Sequence, residues 1–277
     1  MCRGKNIPRA KKSLGQNFLR DKNIARRIVS LLDISGPERV LEIGPGPGAL
    51  TDFILEAGPA FLLLVEKDPY WARERLQKGA GRLKVILADA LQMNWAHFTD
   101  PWKFIGNLPY NIASPLLWEI FPCAPGLTRA VFTVQKEVGL RITAQPGTAA
   151  YGALSVWLQS FSRPKAEFIV PPQVFRPSPK VESMVLSFLP LKKDAEKAGG
   201  LLARPDFNPR SLARALHLCF QARRKQLGVI LRGLGAEAQI PEELGLDPQT
   251  RPERLSPEDF QRLCRYAPFH APQPEPD

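Results

Sequence analysis

The sequence predicts an α/β protein: a doubly wound, mostly parallel sheet of seven strands followed by a small all-helical domain. Three observations support this fold class. Short continuous apolar runs alternate with helical stretches up to about residue 135, and such runs are typical of strands buried on both faces of a parallel sheet. Two further apolar runs flank a proline-rich segment. Beyond Pro190 the apolar spacing becomes helical.

The elements follow in order along the chain. A first helix is expected from residue 24, because Ile24, Ile28 and Leu32 fall on one face. Strands are expected at residues 40–43, 61–65, 83–87, 104–105 and 130–134. Helical crossovers between them imply parallel pairing. The runs at 167–170 and 181–188 are expected to close the sheet as antiparallel strands.

Residues 192–200 have the composition of a linker, and residues 210–234 place most of their apolar side chains near one helical face. Ser256 and Pro257 have the spacing of an N-cap followed by a proline at the first helical position. We predict a basic arm with the start of the first helix at 1–30, the α/β domain at 31–190 and a helical domain at 200–270. The end of the chain, 268–277, is expected to fray.

The positive charge is concentrated in two blocks. The formal net charge is +11; residues 1–30 carry nine Lys or Arg against Asp21, a net of +8, and residues 201–235 carry seven against Asp206, a net of +6. Such blocks are typical of proteins that bind a polyanion, although a solvated tail and a solvated helix face would give the same pattern.

Composition also indicates the cellular compartment of the protein and whether it associates with a membrane. The four cysteines form no CxxC pair, which predicts neither a zinc site nor a disulfide framework and favours a reducing, cytoplasmic compartment. The apolar runs are far shorter than the roughly 20 residues that cross a bilayer. No apolar signal segment follows the basic N-terminus. We expect a protein with no membrane association.

The turn after the first sheet strand contains Gly44, Gly46 and Gly48 at alternate positions. Glycines there let the backbone turn sharply and approach a ligand closely. A dinucleotide-binding loop reads GxGxxG, so this GxGxG pattern disfavours a pyrophosphate cofactor. A purely structural tight turn would use the same residues.

Acidic residues end the next two strands. Glu66 stands where an acid accepts the hydroxyls of a ribose, and Asp89 could accept from an adenine amino group. A helix cap, or for Glu66 a pairing with Lys67, would be structural alternatives. Together with the glycine loop, the two acids describe a ligand with adenine and ribose but no phosphate. S-adenosylmethionine meets that description.

Asn107, Leu108, Pro109 and Tyr110 follow the fourth strand. The exocyclic amine of a base is a poor nucleophile because its lone pair is delocalised into the ring. If Asn107 Oδ1 and the Leu108 carbonyl accept its two hydrogens, the nitrogen can direct its lone pair at a methyl group. Pro109 stiffens the turn, and Tyr110 offers a face for an extruded base. No metal is required; a plain turn is the alternative.

Five stretches in this order resemble the small-subunit rRNA adenine dimethyltransferases, the KsgA/RsmA family. They are residues 14–19 (LGQNFL), 44–48 (GPGPG), 107–110 (NLPY), 170–183 (VPPQVFRPSPKVES) and 253–260 (ERLSPEDF). The resemblance covers roughly residues 9–265. It implies a Rossmann-like class I methyltransferase sheet with a C-terminal helical domain. It also implies transfer of four methyl groups from S-adenosylmethionine to two adjacent adenines in the 3′-terminal hairpin loop of small-subunit rRNA.

The resemblance also implies roles for individual residues. Asn17 and Leu19 would close over the cofactor, Gly44 would lie against its methionine part, and Glu66 and Asp89 would hold its ribose and adenine. Two further residues are assigned to the reaction: Asn107 would face the reacting methyl, and Phe175 would cover the second face of the target base. Residues 223–228 depart from the family's usual basic pattern, which bears on how the helical domain meets rRNA.

Three functions are compatible with these motifs. We expect a cytoplasmic, monomeric rRNA (adenine-N6-)-dimethyltransferase that acts on a pre-assembled small ribosomal subunit and takes part in its biogenesis. A large-subunit rRNA methyltransferase of the macrolide-resistance type shares the fold and a similar tetrapeptide. A non-catalytic rRNA-binding assembly factor would use the same basic blocks. The motifs at 170–183 and 253–260 favour the first.

Overall fold

The computed structural model describes residues 11, 14–78, 81–191, 207–235, 244–266 and 269. Contacts along the chain divide it into two compact units. Of the described residues, the first unit comprises those up to 139 together with 166–188, and the second comprises 140–165 together with those from 189 onward. The domain boundaries predicted from the sequence stay predictions. The predicted linker at 192–200 and nearly all of the predicted frayed end lie outside the described residues.

The first unit contains most of a seven-stranded sheet. In the order of the chain its strands are β2 Arg39–Ile43, β3 Phe61–Glu66, β4 Leu83–Leu87, β5 Trp102–Asn107, β6 Leu127–Gln135, β7 Ser162–Val170 and β9 Ser183–Pro190. Across the sheet the order is β4-β3-β2-β5-β6-β9-β7. The helices of this unit are α1 Lys22–Ser30, α2 Thr51–Glu56, α3 Pro69–Lys78 and α4 Tyr110–Cys123, and α5 Lys136–Ile142 begins in it.

The predicted fold class is confirmed. The strands from β2 to β6 pair in parallel, and β9 pairs antiparallel with β6. Central strands such as β3, with the apolar run FLLLV, are almost completely buried, because helices and loops cover both faces of a parallel sheet. The parallel register brings Ile43, Val65 and Gly106 to the same edge. The segments after these strands therefore meet at one place.

A second, two-stranded sheet was not predicted. Strand β1 (Phe18–Leu19) pairs antiparallel with β8 (Phe175–Arg176), and Leu19 lies opposite Phe175. Both side chains are buried in the hydrophobic core of the first unit. Two-residue strands give no periodicity for the sequence to show. Their pairing depends on contacts between segments more than 150 residues apart in the chain.

The second unit is helical. Its helices are α6 Ala153–Phe161, α7 Pro209–Gln221, α8 Leu227–Gly233 and α9 Pro257–Leu263. The predicted N-cap at Ser256 is confirmed: its hydroxyl accepts from the Asp259 N–H, and the Asp259 carboxylate accepts from the Ser256 N–H, which completes a capping box.

The helical stretch predicted at 210–234 consists of two helices with a break at residues 222–226. Helix α7 ends at Gln221, and α8 restarts at Leu227. The N–H groups of Leu227 and Gly228 donate to the carbonyls of Thr250 and Pro248. These bonds satisfy donors that a continuous helix would have used internally, so the break depends on a segment that is distant in the sequence.

Candidate functional site

A cleft that is open to solvent lies at the carboxyl edge of the sheet. Its walls come from the segments that follow β2, β3, β4 and β5, together with residues 14–18, which we call the strap. Ligand sites of α/β sheets typically lie at this edge. The predicted site residues that line the cleft are Asn17, Gly44, Glu66, Asp89, Asn107, Leu108, Pro109 and Tyr110.

Two glycines of the loop pack so closely against neighbouring side chains that a Cβ in their place would displace those side chains. A Cβ on Gly48 would lie 1.8 Å from the Arg75 guanidinium, and one on Gly46 would lie 2.9 Å from the Phe18 ring. Both glycines have positive φ. Gly44 also has positive φ and has open space around its missing Cβ, so the backbone can approach a ligand there. The Arg75 side chain was not predicted to take part in the site.

Glu66 connects the second strand to the glycine loop. Its carboxylate accepts hydrogen bonds from the N–H of Gly46 at 3.0 Å and from the N–H of Asp68 at 2.8 Å. Burial raises its pKa, and backbone hydrogen bonds from Asp68, Gly46 and Lys67 oppose that shift. A carboxylate has about four acceptor sites, so Glu66 can still accept from a ligand hydroxyl. This donor and acceptor set fits the ribose of S-adenosylmethionine.

Asp89 already has partners in the structure. Its carboxylate lies 2.7 Å from Lys67 Nζ and caps the short helix Ala90–Gln92 through the N–H of Leu91. The Lys67 hydrogen bond holds the pKa of Asp89 below its ordinary value. Asp89 therefore remains ionised at the cleft. Its predicted contact with the cofactor adenine stays a prediction.

The Asn107 amide has a defined orientation. Nδ2 donates to the backbone carbonyl of Asn17 at 2.9 Å; because a carbonyl only accepts, the other amide atom, Oδ1, is left as an acceptor. Among the described residues, no hydrogen bond uses Oδ1, and none uses the carbonyl of Leu108. The N–H of Leu108 donates to Thr133. The tetrapeptide thus keeps two acceptors available.

Pro109 and Tyr110 begin helix α4. Pro109 is its N-cap with φ −57°, within the range that the proline ring imposes. Tyr110 is half-buried, and its hydroxyl lies 2.6 Å from the Ser183 hydroxyl at the start of β9. Burial raises the pKa of Tyr110, so the phenol keeps its proton at neutral pH.

The strap is fastened beside Glu66 by a residue that the sequence did not single out. The buried Asp68 carboxylate accepts from Lys11 Nζ at 3.0 Å and from Gln16 Nε2 at 3.2 Å. Burial alone would raise the pKa of Asp68, but the bonds from Lys11, Tyr70 and Gln16 hold it below its ordinary value. Strap, glycine loop and Glu66 therefore form one connected network. In the sequence, the only local indication of this role for Asp68 is that it is an acid two residues after Glu66.

Two predicted site residues lie elsewhere. Leu19 and Phe175 are 5% and 4% exposed, belong to the hydrophobic core and do not line the cleft. Leu19 follows the strap directly in the chain, and its pairing with Phe175 in the β1–β8 sheet anchors the C-terminal end of the strap. The cofactor contact predicted for Leu19 and the base contact predicted for Phe175 stay predictions.

Among the described residues, no group of three or more His, Cys, Asp or Glu side chains could hold a metal ion. No helix within the same residues is both long and apolar enough to span a bilayer.

The fold and the site define the class of the protein. A crystal structure of a dimethyladenosine transferase from Plasmodium falciparum matches with a TM-score of 0.74 at 24% identity, covering 89% of this chain and 95% of that one. The structure of the 23S rRNA methyltransferase ErmE matches with a TM-score of 0.65 at 23% identity, covering 90% and 98%. At these identities the matches establish the fold. The protein has the fold of class I methyltransferases.

Sequence comparison narrows the class. The family model described as "Ribosomal RNA adenine dimethylase" matches residues 7–267. A protein named "Ribosomal RNA small subunit methyltransferase A" from Nitratidesulfovibrio vulgaris strain Hildenborough is 57% identical over 261 residues, which cover 91% of this chain and 94% of that protein. The chain belongs to the ribosomal RNA adenine dimethylase family, which confirms the resemblance noted in the sequence and the predicted enzyme class.

Proposed function

We propose that this protein transfers methyl groups from S-adenosylmethionine to the exocyclic amines of two adjacent adenines in the 3′-terminal hairpin loop of small-subunit rRNA. Family membership and the relative named for the small subunit support this substrate. The observation that carries the chemistry is the orientation of Asn107, whose Nδ2 is held by Asn17 so that Oδ1 is available as an acceptor.

Two acceptors are what this reaction needs from the protein. S-adenosylmethionine supplies a methyl group that is already activated on a sulfonium. Asn107 Oδ1 and the Leu108 carbonyl would accept the two hydrogens of the adenine amine and direct its lone pair toward that methyl. Positive charge develops on the nitrogen during transfer, so both acceptors bind the transition state more tightly than the ground state. Positioning, rather than proton transfer, supplies the acceleration.

The remaining cleft residues fit roles in binding. Glu66, Asp89 and Gly44 would hold the ribose, adenine and methionine parts of the methyl donor, and Asn17 would close over it from the strap. Tyr110 would stack on the extruded adenine; base–aromatic stacking is worth about 1–3 kcal/mol.

For the partner, we propose a pre-assembled small subunit bound by a monomer in the cytoplasm, with a role in subunit biogenesis. The two basic blocks, with net charges of +8 and +6, support binding to an RNA phosphate backbone. On α1 the side chains of Lys22, Arg26 and Arg27 are exposed.

Methyl transfer from radiolabelled S-adenosylmethionine tests this function. Under-methylated small subunits, large subunits and protein-free rRNA are incubated with the protein, and the nucleosides are then separated. We expect dimethyladenosine in the small subunits alone. Label in the large subunit would favour the macrolide-resistance type of activity. Binding to small subunits without label would favour the non-catalytic assembly factor.

A further inference from the structure

The hydroxyl of Ser183 lies 2.6 Å from that of Tyr110, yet Ser183 does not line the cleft. We propose that Ser183 is a positioning residue that fixes the plane of the Tyr110 ring, and through it the plane of the target adenine. This proposal rests on the proposed function, since it concerns the base that Tyr110 receives. It assigns a chemical role to the serine that ends the proline-rich motif at 170–183.

Ser183 is itself held rigidly. It is fully buried and is the first residue of β9, where it lies opposite Gln135 of β6. The preceding residue, Glu182, is fixed twice to Lys136: its carbonyl accepts from the Lys136 N–H at 2.9 Å, and its carboxylate lies 2.6 Å from Lys136 Nζ. The Ser183 hydroxyl is therefore a fixed point for a hydrogen-bonding partner.

The Tyr110 side chain is therefore fixed both at its backbone and at its hydroxyl group. Its backbone begins α4 directly after Pro109, and its hydroxyl is bound to Ser183. The ring lines the cleft between these two attachments. A phenyl ring without the hydroxyl bond could rotate about its side-chain torsions, and a base stacked on it would rotate with it.

The orientation of the base decides whether its amine meets both acceptors. Asn107 Oδ1 and the Leu108 carbonyl are close in the chain to Tyr110 but have their own, separate anchors on Asn17 and Thr133. A base that tilts on Tyr110 would therefore leave these two acceptors without moving them. Misplacement of reacting groups by 1 Å can cost about 10²-fold in rate.

The test is a double-mutant cycle with Ser183→Ala and Tyr110→Phe. The rate constant of single-turnover methyl transfer to small subunits is measured at saturating S-adenosylmethionine, with the Kd of S-adenosylmethionine by calorimetry and the Tm by thermal unfolding. Ser187→Ala is the matched control. It removes a buried hydroxyl from the same strand, where Ser187 donates to Glu167 instead.

We expect each single variant to be roughly tenfold slower than wild type, within the range that misplacement produces, with an unchanged Kd. The double variant should be no slower than either single variant, because both remove one bond. Ser187→Ala should keep the wild-type rate.

Two results would overturn the proposal. One is a Ser183→Ala rate equal to that of Ser187→Ala, and the other is a double variant in which the two losses multiply. If Ser183→Ala does not fold, Tyr110→Phe decides alone, because it removes the same bond and keeps Ser183; a wild-type rate would then refute the role. Absence of transfer by the wild-type protein would instead refute the proposed function.

Discussion

Buried side chains have different tasks at the cleft and in the C-terminal helices. At the cleft, the buried or half-buried polar side chains of Glu66, Asp68 and Asn107 each hold backbone or strap groups in place. In the helical unit the fully buried side chains are mostly apolar, among them Leu212, Leu216, Leu231 and Phe260. Hydrophobic burial is non-directional, whereas hydrogen bonds fix orientation.

This difference separates two kinds of expected effect. Substitutions at the cleft should change affinity or rate while the fold persists. Substitutions in the helical unit should change stability while each folded molecule keeps its rate. Four substitutions test this distinction.

The largest effect is expected for Asn107→Ala, which removes one of the two acceptors. Loss of a single transition-state hydrogen bond typically costs about 10²–10³-fold in turnover. The Kd of S-adenosylmethionine should change little, because the hydrogen bond from Gln16 to Asp68 still fastens the strap. Single-turnover transfer and calorimetry measure both quantities, and Asn94→Ala, at an exposed residue that does not line the cleft, is the control. Retained turnover would contradict the role of Asn107.

Asp68→Asn is expected to have a smaller effect than Asn107→Ala, and to change the affinity for S-adenosylmethionine rather than turnover. The substitution removes the charge that binds Lys11 and one acceptor of the strap, and hydrogen bonds to charged groups are worth about 1.5–3 kcal/mol. We expect the Kd of S-adenosylmethionine to rise roughly tenfold, with turnover at saturation near wild type. Asp100→Asn, which breaks the exposed pair with Arg39, is the control. An unchanged Kd would show that the strap closes without this fastening.

In the helical unit, Gly228→Val should lower stability and spare the chemistry. A Cβ on Gly228 would lie 3.2 Å from Pro248 Cβ and 3.3 Å from its carbonyl oxygen, and overpacking typically costs about 1–3 kcal/mol. Gly233→Val, in the same helix but with nothing within 4 Å of the added Cβ, controls for helix propensity. Thermal unfolding and the rate per folded molecule are measured; equal Tm values for the two variants would contradict the prediction.

The sequence was most informative where one segment determines the structure. The buried strands, the glycine loop, the tetrapeptide at 107–110 and the capping box at Ser256 all follow from local pattern and turn chemistry. It was least informative where distant segments meet. Asp68 and Lys11 are 57 residues apart, the β1–β8 pairing has no periodicity, and the helix break at 222–226 depends on the carbonyls of Pro248 and Thr250.

The smallest effect is expected for Asp259→Asn in the capping box. Burial alone would raise the pKa of Asp259, but its bonds with Ser256 and Arg262 hold it below the ordinary value. An acid with a lowered folded pKa stabilises the protein above its unfolded pKa and loses that contribution as pH falls. Asp259→Asn should therefore lower stability at neutral pH by about 1 kcal/mol and flatten the decline below about pH 4.

The buried carboxyl group of Glu42 in β2, which does not line the cleft, should affect stability with the opposite sign. Burial raises the pKa of Glu42 to about 8, so its contribution is complete below its ordinary pKa and is lost as pH rises toward 8. Below its ordinary pKa, Glu42 is protonated in both the folded and the unfolded state, so it does not affect the comparison of Asp259→Asn with wild type.

The Asp259→Asn prediction is checked by unfolding midpoints between about pH 2 and pH 7, which measure the loss of stability in acid. Glu258→Gln, at an exposed neighbour, is the control. A decline of unchanged steepness in Asp259→Asn would show that the capping box does not hold this carboxylate ionised.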